Sequence, residues 1–222
     1  MRERLLRVLL CIVGLSVVGC QPAVPGNGDR RVETRQVGNF TALKATGTFS
    51  VYVFCDASSP AVATGMQVRI VADANLLPYI STQVVDYRLE LATTRAIESV
   101  RPIAITLHVT RCSSIAMSGD STLIMTGIHS RELKIALSGR DVMTLDGMTS
   151  WLDLRSSGRC RVYARDLKAR NADVSLSGKS SARVDVTGRL EASVSGGSSL
   201  LYAGHPRSVE PLVSGEGRVH AI

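Results

Sequence analysis

The dipeptide Ser-Gly returns six times in the second half of the chain, at Ser118, Ser138, Ser157, Ser177, Ser195 and Ser214, with spacings of 20, 19, 20, 18 and 19. Such a period marks a stacked solenoid, in which one repeat is one rung that buries its apolar face only against its neighbours. Alternate positions before the serine are apolar, as in Leu133, Ile135 and Leu137 or Leu190, Ala192 and Val194. Five and seven residues after it, apolar pairs recur: Leu123/Met125, Met143/Leu145, Val162/Ala164, Ala182/Val184 and Leu200/Tyr202. Polar residues fall between them, which is the period-2 pattern of strands with one buried face. Each rung is therefore predicted to hold two short strands joined at a Ser-Gly corner, where glycine supplies backbone freedom or room. Ser156 breaks the apolar pattern, so the third rung is expected to pack least well.

The first half, Val32 to Arg111, lacks the Ser-Gly rhythm but is still rich in strand-like runs, such as Phe49 to Phe54, Met66 to Val71 and Ile103 to Val109. No stretch carries an amphipathic helical period, beyond a short turn at Asn75-Leu76-Leu77 before Pro78. The predicted fold is all-β: a β-helix-like solenoid with Ser-Gly rungs over residues 112–222. Its irregular β-rich N-terminal half is read as first coils or as a cap on the stack.

The N-terminus points to the compartment. Arg2, Arg4 and Arg7 precede a mostly apolar stretch, Leu5 to Val18, that is short for a membrane span and reads as a signal sequence. It ends in Val17-Val18-Gly19-Cys20, which resembles the bacterial lipobox, whose cysteine thiol carries the lipid. The expected organisation is a signal peptide over residues 1–19, a lipidated linker over 20–31 and one domain over 32–222. The linker reading follows from its Pro, Gly and Asn content. Gln21 stands where enteric lipoproteins retained in the inner membrane carry Asp, so the outer membrane is the expected address.

Composition excludes several functions. The net charge of +7 is spread without a long basic run, and aromatics make up 4% of the chain, so nucleic acid is not an expected partner. Beyond Cys11 and Cys20 there remain Cys55, Cys112 and Cys160, with no metal-site spacing, so neither metal nor cofactor is expected. In an oxidising compartment three thiols suggest one disulfide and one spare. Cys55 and Cys112 each end a β-rich run and form the candidate pair. His108, His129, His205 and His220 follow no ligand spacing, and the repeated Ser-Gly is a turn element rather than a nucleophile.

Three outward rows follow from the repeat. Four residues before each serine lie Ser114, Lys134, Asp153, Asp173, Glu191 and Glu210, an acidic ladder expected to be a solvated face. Eight residues after it, Asp146, Arg165 and Asp185 alternate in sign and are expected to pair along the stack. Two residues after it, Arg140, Arg159 and Lys179 place three cations on successive rungs, a candidate site for an anionic glycan or a lipid headgroup. Trp151 and Tyr163 are the aromatics in the repeats available to stack on sugars.

A family resemblance adds to this reading. Phe40-Thr41-Ala42-Leu43-Lys44, Gly47 and Phe49-Ser50-Val51-Tyr52-Val53 resemble the opening motif of the head GIN domain family, described as auto-transporter adhesins. Ala72 to Ile80 resembles its second motif, and the Ser-Gly rungs resemble its C-terminal half. The resemblance runs from about Val37 to the C-terminus. It implies a β-helix-like fold and a secreted or surface location, with no established activity and no known catalytic residues. The expected function is a non-enzymatic envelope lipoprotein, held to a membrane by its lipid, that serves adhesion or envelope interaction. A polysaccharide-processing enzyme is the first alternative and predicts paired carboxylates beside exposed aromatics. A self-assembling structural protein is the second and predicts an uncapped apolar C-terminal rung.

Overall fold

The computed structural model describes residues 22–56 and 65–222. The expected signal peptide and Cys20 lie outside the described residues. The chain enters through β1 (Val24–Pro25) and β2 (Arg30–Gln36), then makes a coil from β3 (Ala42–Gly47) and β4 (Ser50–Cys55). It leaves the stack for β5 (Gln67–Asp73), a 3-10 turn at Leu77–Tyr79, β6 (Ile80–Val85), β7 (Arg88–Thr93), β8 (Ile97–Glu98) and β9 (Ala104–Val109). Winding resumes with β10 (Ser114–Gly119), β11 (Thr122–Gly139), β12 (Val142–Gly158) and β13 (Arg161–Leu176). It ends with β14 (Ser181–Val186), β15 (Arg189–Val194), β16 (Ser199–Ala203), β17 (Ser208–Val213) and β18 (Arg218–Ala221). Among the described residues, no helix is long and apolar enough to cross a membrane.

The stack is a β-solenoid with parallel strands, because every rung runs the same way round. One wall aligns Leu43, Ile115, Ile135, Leu154, Val174 and Ala192 in successive rungs. The facing wall aligns Val51, Leu123, Met143, Val162, Ala182 and Leu200. All of these side chains are buried, so the core is a column between two walls. Its burial, rather than any single rung, supplies the driving force for folding.

The corner rule extends further back than the Ser-Gly repeat. Thr46-Gly47 lies in register with Ser118-Gly119, so β3 and β4 form a regular coil from within the irregular half. The excursion from β5 to β9 then caps this coil. β7 adds to β3 and β9 to β4 in parallel, whereas β6 and β5 add antiparallel to them, and β2 adds antiparallel to β5. That reversal ends the parallel stack. The expected linker is corrected in part: Val24-Pro25 pairs with Ile97-Glu98, and β2 already begins at Arg30. Its ladder partner β5 and the Arg30 guanidinium bond to the Pro102 carbonyl (2.8 Å) hold this stretch down.

Inside the corners runs a polar column absent from the apolar pattern. The Phe49 N–H donates to Ser121 Oγ (3.1 Å), and the Ser121 N–H donates to Asp141 Oδ1 (2.9 Å). The Asp141 N–H faces the Cys160 sulfur, and the Ser180 N–H donates to Ser198 Oγ (3.2 Å). Each side chain thus satisfies a buried backbone donor of the rung before it. Asp141 is the member that fits worst. It is fully buried and its Oδ2 has no partner among the described residues. Burial pushes its carboxyl above the usual range, opposed by the Ser121 N–H and assisted by the nearby Asp120 charge.

A raised folded-state value means that Asp141 favours the folded state fully below the ordinary carboxylate range. That contribution disappears as pH rises through the raised value. Asp141→Ser, which copies Ser121 and Ser180, is therefore expected to stabilise the protein by about 1–2 kcal/mol at pH 7. The gain should shrink as the solution is acidified to pH 4. Denaturant titrations at both pH values check this, and a variant that is less stable at pH 7 would show that the carboxylate is favourably held.

Candidate functional site

The corner that turns from one wall to the other also builds the cationic row. The N–H groups of Arg140, Arg159 and Lys179 donate to the carbonyls of Gly119, Gly139 and Gly158, at 2.9, 2.7 and 2.7 Å. The three residues therefore occupy equivalent places in successive rungs, about 4.8 Å apart along the stack. All three are exposed. Arg140 is paired with Asp120 (2.8 Å), whereas Arg159 and Lys179 have no ion-pair partner among the described residues.

The sequence rows left out the neighbours that widen this edge. Two residues past the corner, Arg161 projects outward from β13, beside Arg159 in the chain. On the next rung Arg183 lies in register with Tyr163 and sets its guanidinium 5.9 Å from that ring, within cation–π range. Arg161 and Arg183 thus flank Tyr163, which is 41% exposed, while Arg159 and Lys179 stand at the corner that leads into these two strands. The signal was present as basic residues at the outward positions of two adjacent strands. A search confined to one residue per rung does not see it.

The acidic ladder is real in register: Ser114, Lys134, Asp153, Asp173, Glu191 and Glu210 align through five consecutive strand pairings. It is also neutralised. Arg155 holds Asp153 (3.1 Å) and stands near Asp173, and Arg189 bridges Glu191 and Glu210 at 3.0 Å each. Exposed pairs of this kind add little stability individually. They nonetheless leave the carboxylates engaged rather than poised as an acid and a base, although Trp151 stands on the adjacent outward column.

The alternating-sign row is corrected. Asp146 lies opposite Asp166, and Asp185 lies opposite Lys168, whose ammonium it binds at 2.6 Å. Register shifts between Thr144 and Asp146 and between Ala164 and Lys168 take up the unequal rung lengths at this corner. Positions counted eight from the serine are therefore not equivalent, and Arg165 does not join the row.

At the far end, β17 and β18 each pair on one side only among the described residues. Val213, 45% exposed, and the half-buried Val209 and Val219 face a core over which no further layer packs among the described residues. Cys55, Cys112 and Cys160 are free thiols in this structure. The Cys112 N–H faces the Cys55 sulfur, and Cys160 lies apart in the polar column. Burial pushes the Cys55 thiol up to about 11 and the Cys112 thiol up to about 12.

The family model described as "Putative auto-transporter adhesin, head GIN domain" matches residues 39–206. Solved structures share the fold at low identity. A putative adhesin from Bacteroides fragilis superposes with a TM-score of 0.67 at 16% identity, covering 90% of this chain and 100% of its own. A putative adhesin from Parabacteroides merdae gives 0.59 at 18%, covering 90% and 99%. A putative lipid binding protein from Parabacteroides distasonis gives 0.55 at 14%, covering 90% and 100%. No curated protein matches the chain. The family match takes in the first coil, the cap and the Ser-Gly rungs up to β16, and the chain belongs to the head GIN domain family.

Proposed function

We propose that this protein is a lipid-anchored, non-enzymatic adhesion module of the cell envelope, tethered at Cys20 to the outer membrane, whose basic face binds an anionic polymer or headgroup. The family description and the names of the structural neighbours support an adhesion-type role at the general level. The observation that carries the finer reading is the run of exposed cations Arg159, Arg161, Lys179 and Arg183 on two adjacent rungs, with Arg183 set against the Tyr163 ring. Cations on adjacent rungs match the spacing of a repeating anion, and a ring among them offers a face to a sugar. Four like charges held this close repel one another, so a multivalent anion gains by joining them.

The partly exposed inward side chains Val209, Val213 and Val219 of the last described rung favour end-to-end self-assembly as a second reading. Pro211 weakens it, because proline on an edge strand discourages pairing with another chain. Enzymatic use of the acidic ladder is weaker still, since Arg155 and Arg189 occupy its carboxylates.

One experiment tests anchor and face together. Wild type and Cys20→Ala are compared by membrane fractionation, with the variant expected to leave the membrane fraction or to stay unprocessed. A soluble form beginning at Gln21 is then titrated against acidic polysaccharides and, separately, against vesicles with and without anionic lipid. Reversing Arg159, Lys179 and Arg183 to Glu should weaken binding at least about tenfold at low salt, a difference of about 1.4 kcal/mol that narrows as salt rises. Equal binding by both forms removes the face from the reading, and an unchanged fractionation removes the anchor.

A further inference from the structure

The segment that leaves the solenoid between β4 and β10 returns to it beside its point of departure. β4 and β9 pair in register from Ser50 with Ala104 to Cys55 with Val109. The pairing continues one residue further, where the Asp56 N–H donates to the Val109 carbonyl (3.1 Å). Phe54 and His108 stack across the same pair with ring centroids 5.0 Å apart, which fixes the register next to Cys55. Three residues after Val109 comes Cys112, buried, with its N–H facing the Cys55 sulfur and its own thiol donating to the Ser114 carbonyl (3.5 Å). One thiol stands at the exit of the excursion and the other at its re-entry.

We propose that Cys55 and Cys112 are joined as a disulfide in the exported protein, clasping the cap to the first coil, while Cys160 remains a thiol. In the reaction both S–H bonds break and one S–S bond forms. Two protons and two electrons pass, by thiol–disulfide exchange through a mixed disulfide, to an envelope protein disulfide that is reduced to its dithiol. Backbone geometry favours the bond, because the β4–β9 pairing brings the Cys55 sulfur against the backbone N–H of Cys112, and a disulfide needs its two cysteines to be such close neighbours. Cys160 has no such neighbour. Its sulfur faces Ser157 and Asp141, and none of the described cysteines shares its corner.

Burial decides when the bond forms. Both thiols are pushed far above neutral pH, so little thiolate exists once the cap has closed, and thiolate is the attacking species. Oxidation therefore belongs to the period when the chain emerges into an oxidising compartment and before the cap closes. A chain folded first in a reducing cytosol would keep both thiols and oxidise slowly. The bond would close a loop of about 55 residues that otherwise has to be ordered without covalent help.

The test is made on the full chain recovered from the envelope fraction with free thiols alkylated during lysis. Non-reducing peptide mapping should find Cys55 linked to Cys112 and Cys160 alkylated. The Cys55→Ala, Cys112→Ala and double variants should each melt about 10 °C below wild type, and wild type in reductant should fall to meet them. Reductant separates a lost bond from lost packing, because it should lower wild type alone and leave the variants, which have no bond to lose, unchanged. Alkylation of both Cys55 and Cys112 in wild type, or a bridge to Cys160, overturns the proposal.

Discussion

Gly139→Ala should destabilise the protein by about 3–5 kcal/mol, whereas Gly215→Ala should cost only about 1 kcal/mol. Both glycines hold the same corner, so the difference comes from what lies around them. Gly139 has φ +110°, a conformation open to glycine and strained for alanine. A methyl group there would sit 2.5 Å from the Gly119 carbonyl oxygen and 2.9 Å from its nitrogen. Those atoms belong to a backbone that is itself bonded to the rung on either side, so the clash cannot be relieved by turning a side chain. Gly215 lies in the last rung at φ +64°, which other residues adopt at modest cost. Its nearest obstacles are at 3.3–3.4 Å, on the side facing Gly196. An end rung can also shift outward without breaking a second interface. Thermal and denaturant unfolding of the two variants measures the gap, and similar losses would falsify the stacked-glycine account of the corner.

That corner also shows how far the sequence carries and where it stops. The period of Ser-Gly and the alternation around it predict the solenoid, its two walls and the equivalence of Arg140, Arg159 and Lys179, because all depend on local spacing. The Thr46-Gly47 corner escapes the same reading, since the cap excursion separates it from the repeat and threonine replaces serine. Its equivalence is a pairing across the excursion, which no local period encodes. The row of Asp146, Arg165 and Asp185 fails for the opposite reason. A fixed offset was carried through a corner where rung lengths differ, and the register shift moved Asp166 and Lys168 into place. The polar column of Ser121, Asp141, Cys160, Ser180 and Ser198 was legible as a small polar residue three places after each of the first five serines, with Gly217 in the sixth place. Polar residues near a turn read as exposed by default, and only the hydrogen bonds between rungs show these to be inside. The basic face around Tyr163 was half visible. Counting one cation per rung found its edge, while its width depends on the outward strand positions of β13 and β14.

Leu154→Ala should cost about 4 kcal/mol, toward the upper end of the range for a buried leucine, and Val213→Ala less than about 0.5 kcal/mol. Leu154 is fully buried and stands between Ile135 and Val174 in its wall. The strands above and below it are fixed by continuous backbone ladders, so the space left by its isobutyl group cannot close. The next inward position of the same strand is Ser156, buried and bonded through its hydroxyl to Ser180 Oγ (3.2 Å). Alanine at 154 would thus leave two consecutive inward positions of β12 without a large apolar side chain, where the sequence already placed the weakest packing. In a stack held by nearest-neighbour interfaces, such a defect in a middle rung weakens both interfaces it belongs to. The C-terminal rungs should then unfold at lower denaturant than the capped N-terminal ones, and the single transition should separate into two. Val213 tests the end of the stack, where nearly half of the side chain already meets solvent and truncation opens no closed cavity. Denaturant unfolding followed by Trp151 fluorescence and by far-ultraviolet circular dichroism measures both variants. A Leu154→Ala protein as stable as Val213→Ala would mean that the two walls do not pack through the core as their register requires.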